Sequence, residues 1–236
     1  MRLDQELVLR NLYPTRSKAV AAINAGLVMV NGVPAKKPSQ AVENSDEITG
    51  GALPYSVGRG SLKLAHALDY FNVTPSDMVC LDVGASTGGF TQELLSRGAT
   101  RVYAVDVGTN QLAESLRNDA RVVSLEQTDI RTLAPISPVD LIVIDVSFIS
   151  LANIVGALPA WGADKIIALI KPQFEVPRDV AAKFNGIIKS SDWHNYSITR
   201  VVDAFRDSGF MNVGVTVSPI AGGSGNTEFL ACFNKM

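Results

Sequence analysis

Four charged residues stand where a folded sheet could bring them together. Ile142-Val143-Ile144 runs apolar into Asp145, and Ile167-Ala168-Leu169-Ile170 runs apolar into Lys171. A charge placed directly after buried strand residues falls at the crevice where open α/β sheets bind ligands. Lys63 lies on a helical stretch before the first strand of that sheet, and Glu228 opens the last strand. Singly, each is an ordinary surface charge. Together, two lysines and two carboxylates suit one task, taking the proton from a poorly acidic hydroxyl as it attacks an electrophile. A lysine amine can act as that base only if its pKa falls from ~10.4. Partial burial beside a second cation lowers it. Lys171 is the expected base and Lys63 the neighbouring cation, with Asp145 and Glu228 orienting the two amines.

The elements that must position these groups can be read from periodicity. From residue 61 onward, a helix over 62–71 precedes strands near 79–83, 102–106, 122–125, 141–145 and 165–170. Helices such as 90–97 and 110–118 lie between them. Continuous Val/Ile/Leu strands alternating with helices imply a doubly wound, mostly parallel sheet. A helix over 191–208 then leads to strands at 212–217 and 228–233, joined by a Gly-rich turn. With no helix between them, those two must pair antiparallel.

The loop leaving the first of these strands reads Asp82-Val83-Gly84-Ala85-Ser86-Thr87-Gly88-Gly89-Phe90. A dinucleotide fold wants G-x-G-x-x-G so that a pyrophosphate can approach the helix N-terminus. Ser86 stands where the second glycine belongs, which disfavours a pyrophosphate and leaves S-adenosylmethionine (SAM), a cofactor without phosphate, as the better fit. Asp106, followed by Val107, ends the next strand at the distance expected of a carboxylate that takes ribose hydroxyls, roughly 20 residues on. Asp129, followed by Ile130, comes after the third strand and can accept from an adenine amino group. Asp145, at the fourth strand end, borders the same site. The expected fold class is therefore α/β, the class I SAM-dependent methyltransferase sheet: Rossmann-like, seven-stranded, with the last strand antiparallel.

On that reading the hydroxyl acceptor is a ribose 2′-OH. Amino-methylating enzymes carry an Asn/Asp-Pro-Pro-aromatic turn after the fourth strand, and Asp145-Val146-Ser147-Phe148 lacks the prolines. Carbon-5 pyrimidine methylation needs a cysteine nucleophile, whereas Cys80 and Cys232 lie inside apolar strands and make no metal-ligand spacing, so no metal is expected. His66 and His194 read as helix-surface residues.

The first fifty residues are a different kind of object. Leu3, Leu7 and Leu12 suggest an amphipathic helix. Thr15 or Ser17 can cap a second one through Ala19, Val20, Ile23 and Ala25, ended by Gly26. A strand over 27–30 meets the hairpin signal Asn31-Gly32, Val33 begins the return, and 42–48 reads as a last small strand. Net charge is −2 over the whole chain, yet this segment is basic. Arg2, Arg10, Arg16, Lys18, Lys36 and Lys37 form a basic patch, which on a small module can bind a polyanion even on an acidic protein; with Ser17 and Asn31 beside them they are the candidate contacts for such a partner. We place a small α+β domain at 1–49, a linker at 50–60 around Gly50-Gly51-Ala52-Leu53-Pro54-Tyr55, and the methyltransferase domain at 61–236. Residues 1–10 alternate charge with apolar residues, unlike a secretory signal. The longest apolar runs fall short of the ~18–20 residues that cross a bilayer. A cytoplasmic protein without a membrane partner is expected.

With these residues in view, the chain resembles the TlyA family, an S4 RNA-binding domain fused to an FtsJ-like 2′-O-methyltransferase. In the first domain the resemblance rests on Arg2-Leu3-Asp4, Thr15-Arg16-Ser17-Lys18-Ala19, Ile23-Asn24-Ala25-Gly26 and Val28-Met29-Val30-Asn31-Gly32. In the second it rests on Arg59-Gly60-Ser61-Leu62-Lys63-Leu64, the loop from Asp82 to Thr91, and Ile144-Asp145-Val146-Ser147-Phe148-Ile149-Ser150. Lys171-Pro172-Gln173-Phe174-Glu175 and Gly225-Asn226-Thr227-Glu228 complete it. The resemblance implies that the family's Lys-Asp-Lys-Glu tetrad falls on Lys63, Asp145, Lys171 and Glu228. It also implies that the substrate is ribosomal RNA or a ribosomal subunit, methylated on cytidine ribose. The family carries an older haemolysin label. A SAM-binding assembly factor without turnover, a membrane-active haemolysin and a small-molecule methyltransferase are the alternatives, the last leaving the first domain unexplained. Three positions depart from the family pattern. Gly58 replaces a usual serine. Gly186-Ile187-Ile188-Lys189-Ser190 replaces a Gly-Val-Val-Arg-Asp run, with lysine for arginine bearing on phosphate contact. Asp129 replaces a frequent Asn.

Overall fold

Leu3 and Leu7 recur at helical spacing, and both are fully buried on the inner face of α1 (Leu3–Leu9). In the computed structural model, which describes residues 1–13, 16–24, 26–50 and 60–236 with the side chains of Ser17, Lys18 and Ala21 excepted, they pack with Ala19, Ala22 and Ile23 of α2 (Arg16–Asn24). A three-stranded sheet completes this core, with β1 (Val28–Val30) between β2 (Val33–Pro34) and β3 (Ile48–Gly50). Asn31 and Gly32 both take positive φ, +52° and +75°, the combination required by a tight two-residue hairpin.

Two expectations for this unit are corrected. The first helix ends at Leu9, where Asn11 turns left-handed at φ +56°, and Leu12 is exposed. The last strand is Ile48–Gly50 rather than 42–48. The stretch before it is a loop held by side chains: Arg10 donates to the carbonyls of Glu43, Asn44 and Asp46, and the Asp46 carboxylate accepts from Glu43 N–H and the Asn31 amide. A backbone satisfied in this way has no need of a ladder. The proposed cap at Thr15 and nearly all of the expected linker lie outside the described residues.

The chain divides into two compact units, Met1–Ser56 and Val57–Met236. In the second, α3 (Gly60–Tyr70) leads to β4 (Val79–Val83), α4 (Gly89–Ser96), β5 (Arg101–Val105), α5 (Glu114–Arg117), β6 (Val122–Leu125) and β7 (Leu141–Ile144). After short 3-10 turns between residues 151 and 161 come β8 (Lys165–Ile170), α6 (Pro172–Glu175), α7 (Arg178–Lys183), α8 (Ser191–Asp207), β9 (Phe210–Val217) and β10 (Phe229–Lys235). The sheet order is β6-β5-β4-β7-β8-β10-β9. β4 to β8 pair in parallel, and β10 runs antiparallel to both β8 and β9.

Strand alternation sends successive residues to opposite faces. Ile142, Ile144, Ile166, Ala168 and Ile170 join the core with Val201 and Phe205 of α8. Leu141, Val143, Ile167 and Leu169 join the other core with Leu64 and Leu68 of α3 and Phe90 and Leu94 of α4. Both faces are covered, which is why these strands read as unbroken apolar runs. Phe205 and Phe233, both fully buried, stack with ring centroids 4.0 Å apart. Truncating either would cost about 3–5 kcal/mol.

The helix expected over 110–118 shrinks to Glu114–Arg117. Glu126 explains why: its carboxylate accepts from the N–H groups of Asn110, Gln111 and Leu112 at 2.7–2.9 Å and holds them as a loop. The histidines are half-buried rather than surface groups. His194 Nε2 lies 2.8 Å from Ile188 O with its ring edge-on to Phe229, and His66 Nε2 lies 3.2 Å from Thr216 Oγ1 on β9. Cys80 and Cys232 are free and buried, and burial pushes the Cys80 thiol up to about 12. Among the described residues no helix is long and apolar enough to cross a membrane, and no group of His, Cys, Asp or Glu is arranged to hold a metal.

Candidate active site

The strand order reverses at β4, with β5 on one side and β7 on the other. The connections after parallel strands must diverge at such a point, opening a crevice at their carboxyl ends. Gly84, at φ +84°, turns the chain there, and a Cβ on it would lie 2.5 Å from the carbonyl oxygen of Asp145. Only glycine permits this close approach. The loop after β4 thus rests directly on the start of the loop after β7, and Asp145 N–H is fixed in turn by Val83 O at 2.9 Å.

A cavity of ≈ 550 Å³ occupies the crevice, walled by Gly84, Ser86, Asp106, Val107, Asp129, Ile130 and Asp145 among the residues singled out in the sequence. Its size suits a nucleoside-sized ligand. Asp106, half-exposed at the end of β5, accepts from Ser86 N–H at 2.8 Å and Gly108 N–H at 2.7 Å, one on each oxygen. A carboxylate has about four acceptor sites, so lone pairs remain for a ligand's hydroxyls. Asp129 is gripped by Arg131, whose Nε lies 3.0 Å from both oxygens and whose Nη2 lies 2.5 Å from Oδ2. That guanidinium and the Arg131 N–H hold the Asp129 carboxyl below its usual range.

Asp82 behaves differently from the expectation of a group facing the cofactor. It is 0% exposed and takes Thr91 Oγ1–H at 2.6 Å, while its other oxygen has no hydrogen-bond partner. Burial pushes its carboxyl up to about 7; the Thr91 bond opposes the rise, and the negative charges of Asp145 and Asp106 add to it. Asp82 therefore braces the loop from beneath and does not line the cavity. Gly88 likewise faces Leu112 and Leu116, not the crevice.

A second, smaller cavity of ≈ 200 Å³ is walled by Ser86, Thr87, Gly89, Phe90, Asp145, Ser147 and Lys171 among others. The two cavities share Gly84, Ser86, Asp145 and Ser147. Lys171 Nζ donates to Ser147 Oγ at 2.8 Å and lies 2.6 Å from Asp145 Oδ1. The latter is an ion contact without the angle of a hydrogen bond, so Asp145 Oδ1 has no directed donor. Lys63 Nζ donates to Glu228 Oε2 at 2.5 Å, with both side chains nearly buried. Phe229 of β10 pairs with Ile170 of β8, so Glu228 and Lys171 each lie one residue beyond that last pair. The four charges thus form two ion pairs, the arrangement that makes buried ions tolerable. Gly222 leaves room for Glu228, whose Oε1 a Cβ would meet at 2.4 Å.

Sequence reasoning missed three groups. Ser147 carries no spacing signal, since it lies in a loop. Phe148, at φ +65° and 92% exposed, borders the larger cavity. Glu175, buried at 1% exposure, lies at the end of the short helix that follows Lys171 and carries no spacing signal of its own.

In the first unit the basic residues part company. Arg10 is a staple: its guanidinium donates to Glu6 and to three backbone carbonyls, which corrects its reading as a free phosphate contact. Arg2 and Arg16 both bond the buried Asp4, yet each keeps about half its side chain exposed, 46% and 55%. The Arg2 hydrogen bonds, helped by Arg16, pull the Asp4 carboxyl down to about 2. Lys36 and Lys37 are exposed, and Asn31 bonds Asp46. The side chains of Ser17 and Lys18 lie outside the described residues.

Comparison with known proteins agrees with this geometry. Residues 56–235 match the FtsJ-like methyltransferase family, and residues 1–48 match the S4 domain. The chain is 44% identical to the Mycobacterium tuberculosis protein named 16S/23S rRNA (cytidine-2'-O)-methyltransferase TlyA, over 97% of this chain and 87% of that one. It is 39% identical to Hemolysin A of Brachyspira hyodysenteriae, over 99% of each. A solved Streptococcus thermophilus structure, named as a candidate hemolysin, is 42% identical and superposes with a TM-score of 0.74 over 100% of this chain and 88% of that one. A Listeria monocytogenes structure, named as a candidate SAM-dependent methyltransferase, shares the fold alone, with 14% identity and a TM-score of 0.55 over 75% of this chain and 98% of that one. The chain belongs to the TlyA family, methyltransferases in which an FtsJ-like catalytic domain follows an S4 domain.

Proposed function

We propose that the chain methylates a ribose 2′-hydroxyl of ribosomal RNA, on cytidine as in its Mycobacterium tuberculosis relative, using SAM as donor. One observation carries this reading: Lys171 Nζ stands in the wall of a small cavity that shares Gly84, Ser86, Asp145 and Ser147 with the nucleoside-sized one. A base so placed meets an acceptor oxygen beside the methyl donor. The lone pairs left on Asp106 would take the ribose hydroxyls of SAM, Asp129 its adenine amino group, and Val107 and Ile130 its apolar faces. SAM supplies the electrophilic methyl group.

Lys171 Nζ is the group placed to take the 2′-proton as the oxygen attacks the methyl carbon. Asp145 and Ser147 aim that amine, and the Lys63–Glu228 pair places a second cation beside the developing charge. Phe148, an exposed aromatic at the mouth, offers a face on which a base displaced from its helix can stack. In this reading residues 1–49 are the RNA-binding domain, 50–60 the linker and 61–236 the catalytic domain. Arg2, Arg16, Lys36 and Lys37 contact phosphates and position the substrate without reading its sequence. A ribosomal substrate places the enzyme in the cytoplasm.

Transfer of tritiated methyl from SAM to purified ribosomal subunits tests the proposal. Wild type is expected to label ribose, and Lys171→Ala to lose at least about a hundredfold in rate, as removal of a general base does. No label with wild type, or undiminished label with Lys171→Ala, overturns it.

A further inference from the structure

The two segments that carry Asp145 and Lys171 are tied a second time at their far ends, by a group the proposed chemistry does not use. Glu175 turns both carboxylate oxygens onto the segment that follows Asp145. Oε2 accepts from Ser150 Oγ–H at 2.5 Å, and Oε1 accepts from Leu151 N–H at 2.8 Å. The carbonyl of Glu175 is held in turn by Arg200 Nη1 of α8 at 2.9 Å. Glu175 is 1% exposed, and its carboxylate is held by hydrogen bonds from Ser150 and Leu151. Burial raises its carboxyl above the ordinary value, while Ser150, Leu151 N–H and the more remote charge of Arg200 oppose the rise. A buried carboxyl of this kind costs stability that an apolar side chain would not, so its use here is geometric.

Both stretches between the tie and the ion pair are short. From Lys171 to Glu175 the chain is the single turn α6, opened by Pro172 and closed by Phe174 N–H on Lys171 O at 2.8 Å. From Asp145 to Ser150 it passes through Phe148 in the left-handed region at φ +65°. A bulky residue stays in that region only where its surroundings over-determine it. The Phe148 side chain is 92% exposed, its ring centroid 5.2 Å from that of Phe174 in the same α6 turn, so packing on the ring itself does little to hold it. The strained loop is thus held from α6, with Glu175 as the polar clasp.

We propose that Glu175 is a positioning residue for methyl transfer: through Ser150 and Leu151 it fixes the strained loop that sets Asp145 and Ser147 against Lys171. The inference rests on the proposed role of Lys171 as base.

Two variants separate reach from charge. Glu175→Gln keeps the reach, since its amide can accept from Leu151 N–H and donate to Ser150 Oγ. Glu175→Asp keeps the charge but is one methylene short of spanning both donors. Crystal structures and turnover per SAM-binding site are measured for each. Glu175→Gln is expected to keep the Lys171–Asp145 contact and turnover within about threefold of the parent. Glu175→Asp is expected to open that contact and lose about ten- to a hundredfold in kcat, the usual cost of misplacing a reacting group by about an ångström, with KM for SAM within about twofold. A Glu175→Asp protein that keeps the contact and the turnover overturns the inference. So does Glu175→Gln falling to or below Glu175→Asp, because charge and not reach would then matter. A parent that leaves ribosomal RNA unlabelled, with the expected ranking of the two crystal structures intact, refutes the RNA reading alone and leaves the clasp standing.

Discussion

Lys171 directs its hydrogen bond to Ser147 Oγ at 2.8 Å and not to Asp145, although Asp145 Oδ1 is nearer at 2.6 Å. The carboxylate supplies charge and the hydroxyl supplies direction. Because both side chains also wall the larger cavity, the amine is aimed from the side on which the donor would bind.

Removing direction while keeping charge is therefore informative. Ser147→Ala is expected to lower kcat by about three- to tenfold, the value of one hydrogen bond of about 0.5–1.5 kcal/mol. KM for SAM should stay within about twofold, and Ser147→Thr should recover most of the loss. Single-turnover methyl transfer on ribosomal subunits measures the step. Equal losses in the alanine and threonine variants would assign Ser147 to packing instead.

The buried Asp82 predicts a pH dependence of stability. Its carboxyl lies near 7 in the folded chain against an ordinary 3.8. Between those values the folded state binds the proton that the unfolded state has released, so the contribution of Asp82 to stability falls as pH rises. Asp82→Asn does not titrate. The melting temperature of Asp82→Asn minus that of the parent should rise steadily from pH 4 to pH 7, by about 1 kcal/mol of equivalent stability per pH unit, and then level off. Calorimetry across that range decides it, and a difference independent of pH would show that Asp82 ionises as freely as a surface carboxylate.

The basic residues of the first unit should separate into two classes. Lys36 and Lys37 are exposed, and Lys36→Ala and Lys37→Ala are expected to weaken RNA binding, each reducing the slope of log affinity against log salt by about 0.7–0.9. Arg10→Ala leaves the Glu6 carboxylate, 3% exposed, without its Arg10 donor and takes one donor from each of three carbonyls. It should cost about 1–3 kcal/mol of stability. Filter binding at several salt concentrations, set beside thermal melts, reads both. A normal melt with a reduced salt slope for Arg10→Ala would return that residue to the phosphate contacts.

What could be read from the amino-acid sequence was local. The strands at 79–83, 122–125 and 165–170 stand where their apolar runs put them, and the final hairpin followed from two strands with no helix between. The Asn31-Gly32 turn and Asp106 beside Ser86 followed from signals spanning about twenty residues or fewer. Such signals are legible because backbone conformation, face alternation and turn chemistry depend on near neighbours. Local signals also misled where side chains from elsewhere took over the backbone, as Glu126 did at 110–112 and Arg10 at 43–46.

Only the tertiary structure decided which lysine meets which carboxylate. Lys63 and Glu228, 165 residues apart, pair because β10 slots between β8 and β9 and carries Glu228 to the level of Lys171. The same holds for the opening loop Asp82 to Phe90. Its composition marked a ligand-binding turn, yet packing sent Asp82 into the core and left Ser86, Thr87, Gly89 and Phe90 to line the crevice. Pairings of this kind depend on strand order, register and burial. These are properties of the whole sheet, so no single stretch of the sequence contains them.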